Sequence, residues 1–88
     1  HLVPNIQVTV SGADRAGIVA QVTAVLAESG LNILDLESDV AGTRDRPVYI
    51  MQIAGVADVP VESIELALQG LREGGVDVNV SAVETYIG

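Results

Sequence analysis

Eighty-eight residues, 49% of them hydrophobic but with no Phe or Trp and two Tyr, suffice for one core of Val, Ile, Leu and Ala, which favours strands and helices packed as layers in a single domain. A formal charge of −8, from twelve acidic and four basic residues, repels a phosphate backbone and excludes direct nucleic-acid binding as the expected role. The lack of Cys removes thiolate nucleophiles, Cys-based zinc sites and disulfides, and no apolar run is long enough for a membrane span, so a cytoplasmic setting without a membrane partner is expected. Because the chain opens on His1, not Met, it is expected to be a domain excised from or adjacent to a larger protein, or to carry a tag remnant.

Ile6, Val8 and Val10 alternate with Gln7, Thr9 and Ser11, which predicts a first strand over 5–11 with one buried face. Pro4 limits pairing at its start. Residues 12–16 form a short loop in which Asp14 is placed to N-cap a helix beginning at Arg15 or Ala16. Gly12 and Gly17 bracket this junction, and a glycine there removes the side chain that would keep a ligand from the N–H groups of a helix's first turn. Ile18, Val22, Val25 and Leu26 then recur on one helical face, and Ser29-Gly30 ends the helix with Gly30 in a left-handed position.

A second strand over 31–40 alternates imperfectly, since Leu31 and Ile33 share one frame and Leu34 and Leu36 the other. Either a bulge lies near 32–34 or both faces are covered, and cover by a second copy is the preferred reading. Residues 41–47, with Gly42 and Arg44-Asp45-Arg46, read as a mobile hairpin connection longer than a tight turn. The third strand, 48–54, is apolar in both frames, as a central strand with covered faces would be. A loop over 55–60 offers Asp58 as a cap and places Pro60 in the first turn of a second helix.

That helix presents Val61, Ile64, Leu68 and Leu71 on one face, leaves Leu66 off it, and stops at Gly74-Gly75. Gly70 inside it suggests a close helix contact. Val76, Val78 and Val80 against Asp77, Asn79 and Ser81 give a fourth strand running on toward Tyr86. With right-handed crossovers, βαββαβ folds as an α+β, ferredoxin-like sandwich: a four-stranded antiparallel sheet with both helices on one face. On the other face either Val48 and Ile50 or Met51 and Ile53 stand uncovered, so a partner surface is expected there or along an edge.

The run from Val8 to Val19, followed by Val25 to Ile33 and Tyr49-Ile50-Met51, closely resembles the ACT domain over essentially the whole chain. Within that family it is most similar to the glycine cleavage repressor group and to the regulatory repeats of phosphoserine phosphatases and formyltetrahydrofolate deformylases. The resemblance implies an allosteric regulatory module that binds an amino acid where two copies meet, between the loop after the first strand of one copy and the start of the second strand of another. It assigns ligand approach to Gly17, a contact with the ligand's ammonium or carboxylate to Asn32, and the acidic loop position to Asp14. Ala16 stands where the family commonly has proline.

The chemistry of a zwitterion fits independently: Gly17, Ile18 and Val19 can offer backbone N–H groups to a carboxylate, and Asp14 and Asn32 can offer oxygens to an ammonium. Arg15 is the one arginine near the junction, and Ile33 follows Asn32 into the second strand. Each has a plainer reading as well. Asp14 serves as a helix cap, Gly17 relieves packing, and Asn32 shapes the turn after Gly30.

Asp35, Glu37 and Asp39 share one frame and could face a hard cation, but a solvated or edge-protecting row is the preferred reading, and no metal is expected. His1 is the lone histidine, no serine has a base nearby in sequence, and no glycine-rich stretch ends in Lys-Ser or Lys-Thr, so neither enzyme activity nor a cofactor is expected. Two functions remain: an amino-acid sensor, with serine or glycine the first ligands to test and a homodimer or a second ACT domain as partner, and a ligand-independent assembly module of a larger metabolic enzyme or regulator.

Overall fold

In the computed structural model, which describes residues 3–13 and 15–83, the order is β1 (Ile6–Gly12), α1 (Arg15–Glu28), β2 (Asn32–Gly42), β3 (Pro47–Val56), α2 (Val61–Glu73) and β4 (Asp77–Ala82). Asp14, and the stretch beyond 83 toward Tyr86, lie outside the described residues. The strands form one sheet in the order β2-β3-β1-β4, antiparallel at each of the three pairings. This is the ferredoxin-like sandwich, with β1 and β3 in the centre and β2 and β4 as edges.

Alternation decides which side chains enter the core. Val8 lies between Ile53 and Val80, and Val10 between Met51 and Val78, so one face of the three strands is a continuous aliphatic layer. Ile18, Val22 and Leu26 of α1 and Ile64, Leu68 and Leu71 of α2 close over it. Burial of each such side chain contributes about 1.5–3 kcal/mol.

Both helices end as their glycines require. Gly30 has φ 94°, the Leu31 amide donates to the Leu26 carbonyl at 3.0 Å and the Gly30 amide to Ala27 at 3.3 Å; Gly75, with φ 95°, and Val76 repeat the pattern on Arg72 and Leu71, each at 3.1 Å. This double closure satisfies carbonyls that a helix end leaves unpaired, and it buries Leu31 against Leu26.

Several expectations are corrected. The uneven alternation of β2 is a bulge between Ile33 and Asp35, which makes Leu34 the extra residue and puts Asp35, Glu37 and Asp39 in one frame and Leu36, Ser38 and Val40 in the other; no second copy is needed to account for it. The β2–β3 connection is a tight turn: Thr43 and Arg46 exchange backbone hydrogen bonds of 3.3 and 3.2 Å around Arg44-Asp45, and the Thr43 hydroxyl accepts a further one from the Arg46 amide. Gly42, at φ 81°, supplies the bend before it. Asp58 does not cap α2; Pro60 occupies the N-cap position with no side-chain cap bond. A Cβ on Gly70 would meet nothing within 4 Å, so Gly70 does not mediate a close helix contact. β3 is central, yet its outward frame of Val48, Ile50, Gln52, Ala54 and Val56 is uncovered by the chain's own elements.

The two edges differ. β4 spans six residues, and Arg72 of α2 donates through Nε and Nη2 to the Val78 carbonyl at 3.1 and 2.8 Å. β2 spans eleven residues, and on it the Val40 amide donates to Oδ1 of the adjacent Asp39 at 2.8 Å. An amide bonded to its own neighbour's side chain points away from β3, and by the two-residue period of a strand those of Leu36 and Ser38 face outward too.

Candidate ligand-binding site

β1 delivers the chain to the first turn of α1 through Gly12. A Cβ there would stand 2.7 Å from Cδ1 of Ile18, so the glycine lets Ile18 fold back into the core. The Ile18 side chain is thereby committed to packing. Gly17 precedes it, half-buried, and Val19 follows it with its side chain 36% exposed. Arg15 contributes the first residue of α1.

Two cavities flank this turn and share Ile18. One, of about 250 Å³, lies between the β1–α1 turn and the end of α2; Gly12, Gly17, Gly74 and Gly75 make up half of its eight lining residues, so its polar groups are largely main chain. The other, of about 190 Å³, lies between Ile18 and Val19 of α1 and the adjoining ends of β2 and β3, at Ser38–Val40 and Tyr49–Met51. It exists because α1 stops short of the edge strand: Val40 rises from the helix-facing frame of β2 yet is 56% exposed.

Asn32 and Ile33 are not brought to this place. Asn32 pairs with Val56 and Ile33 with Gly55, which neighbours Ile6, whereas Gly12 pairs with Tyr49. Six residues of extended strand separate Ile6 from Gly12, about 20 Å. Within one chain, therefore, the start of β2 and the β1–α1 turn occupy opposite ends of the sheet, and the far end of β2, at Val40–Gly42, is the part that neighbours the turn.

The acidic row of Asp35, Glu37 and Asp39 faces away from the helices opposite Ala54, Gln52 and Ile50. Among the described residues, no group of three or more His, Asp or Glu is arranged to hold a metal ion. Ser38, Val40, Tyr49 and Met51 border the second cavity, and none of the four was named as a site residue from the sequence. The signal that could have found them is the corrected frame of β2, in which apolar residues alternate with carboxylates on a strand left at an edge.

An ACT domain family model matches residues 5–81. A UPF0237 protein of Methanopyrus kandleri is 43% identical over 81 residues, covering 90% of this chain and 88% of its own length. Among solved structures, a formyltetrahydrofolate deformylase from Pseudomonas syringae pv. tomato superposes with TM-score 0.76 at 16% identity, covering 93% of this chain and 28% of that one. A proposed glycine cleavage system transcriptional repressor does so with TM-score 0.70 at 15% identity, covering 97% and 51%. This chain thus spans less than a third of the deformylase and about half of the repressor, and at such identities the likeness concerns the fold. No helix of the described residues is long and apolar enough to cross a membrane. With the strand order, the bulged edge strand and the glycine-framed turn as its structural basis, the family match places this chain in the ACT domain family, whose members are generally regulatory modules that bind small molecules.

Proposed function

We propose that this chain is an amino-acid-binding regulatory module whose ligand lies in a seam, between the β1–α1 turn of one ACT domain and the start of β2 of another. The observation that carries the reading is the placement of Gly17 and Asn32 at opposite ends of one sheet. A second domain running antiparallel along the open β2 edge, whether an identical copy or a neighbour in a larger protein, would bring its Asn32 and Ile33 to the end of β2 beside the turn. There the first turn of α1, bare of a side chain at Gly17, would face the carboxylate, and Asn32 of the second domain would offer an acceptor to the ammonium.

Complementation tests a shared site. Gly17→Leu and Asn32→Ala copies should each fail to bind any of the twenty amino acids in calorimetry. A mixture of the two restores binding, because one of the two seams in each mixed dimer is intact; with equal amounts pairing at random the stoichiometry is about a quarter of the wild-type value. Failure of the mixture to recover binding would rule out the shared arrangement. A ligand-independent assembly module is the second reading, favoured by Leu36 and Val40 standing 40% and 56% exposed on β2. It predicts a dimer in sedimentation that forms without ligand and is indifferent to Gly17→Leu.

A further inference from the structure

We propose that the cavity between α1 and the ends of β2 and β3 receives the side chain of the bound amino acid, and that the module therefore takes aliphatic ligands of the leucine, isoleucine, valine and methionine class in preference to serine or glycine. The inference rests on the seam reading above and adds to it the identity of the ligand.

The lining decides the class. Ile18 and Met51 are buried and form the base, with Val19, Val40 and Tyr49 around them. Ser38 supplies a hydroxyl. Asp39 and Ile50 also border the space, but they pair with each other in the outward frame of the sheet, and the Asp39 carboxylate is taken up by the Val40 amide along the strand's outer edge. Among the lining residues, then, no charged side chain rises into the cavity, and a Lys, Arg, Asp or Glu ligand would lose its hydration without gaining a counter-charge.

Size narrows the class further. The cavity measures about 190 Å³, whereas about 150 Å³ of apolar space is enough to take benzene. A three- or four-carbon side chain fits, and a hydroxymethyl group or a hydrogen leaves most of the volume unfilled. The position is also right for a ligand held at the turn. Ile18 borders this cavity on one side and the glycine-lined cavity on the other, so a head group at the first turn of α1 has an apolar recess beside it, opening at the β2 edge where a second domain would sit.

Each buried methylene contributes about a fourfold gain in affinity. Leucine should therefore bind on the order of 50-fold tighter than alanine by the same reasoning, and tighter than serine and glycine. The test is calorimetry on the 88-residue chain with leucine, isoleucine, valine, methionine, alanine, serine and glycine, repeated on Val40→Glu. Val40 is exposed, so the variant should keep the wild-type circular-dichroism melt while the leucine-to-alanine ratio collapses to below about fivefold. Serine or glycine binding more tightly than leucine would overturn the ligand class and leave the seam reading standing. An unchanged ratio in Val40→Glu, or an equal loss for both ligands, would overturn the assignment of this cavity. Binding of none of the seven would remove this inference, and binding of none of the twenty the seam reading with it.

Discussion

Asn5 joins two parts of the chain fifty-two positions apart. Its Nδ2 donates to the Ala57 carbonyl and its Oδ1 accepts from the Ala57 amide, both at 3.0 Å, tying the loop after β3 to the start of β1. Ala57 is buried, so Asn5→Ala would leave a donor and an acceptor without partners away from water. The expected loss is about 1–3 kcal/mol, seen as a fall in melting temperature of about 5–15 °C. Nothing in the local pattern marks this residue, because an Asn beside Pro4 reads as the end of a strand and its partner is named only by the fold. Gly55 is comparable. A Cβ there would lie 2.6 Å from the Asn32 carbonyl and 3.0 Å from Leu31, so the bulged start of β2 crosses it at a distance only glycine permits. Gly55→Ala should cost about 1–3 kcal/mol in denaturant unfolding, as overpacking does.

Among the elements, α2 was the most legible: Ile64, Leu68 and Leu71 are buried as their spacing requires, and Gly74-Gly75 stops the helix. Two of its residues carry no structural load. Leu66 is 71% exposed, and Leu66→Lys should leave stability within about 0.5 kcal/mol. Gly70 has open space around it, so Gly70→Ala should gain about 1 kcal/mol and raise the melting temperature by about 4–8 °C. β2 was the least legible element. Its two apolar frames came from one extra residue, Leu34, and alternation cannot distinguish a bulge from a strand covered on both sides. The β2–β3 turn was misjudged because a charged run reads as solvated loop, whereas Thr43 and Arg46 close it through main-chain bonds that any residue can make.

For the whole molecule, the fold was legible because every strand and helix but β2 and β3 has a clear period, and the order of elements admits few topologies. The site was legible only in part. Gly17, Ile18 and Val19 belong to the first turn of α1, while Asn32 and Ile33 lie about 20 Å away and would join it from a second domain. Linkage then predicts how the assembly responds: an amino acid bound only by the folded, paired form should raise the melting temperature, equivalent to about 2.7 kcal/mol at a hundred times its Kd. The same ligand should move the sedimentation boundary toward the larger species.

The short β4 edge, with Arg72 seated on the Val78 carbonyl, bears on the stoichiometry of the proposed pairing. A sheet with two receptive borders can add neighbours without end and grow into fibres, whereas one that is closed along one side and receptive along the other can accept a single companion. Were domains to pair through β2 as proposed, the guanidinium clamp would make two of them the natural terminus of assembly. Loosening it, as by Arg72→Ala, should give a protein whose particle size climbs with concentration in light scattering where the parent reaches a plateau.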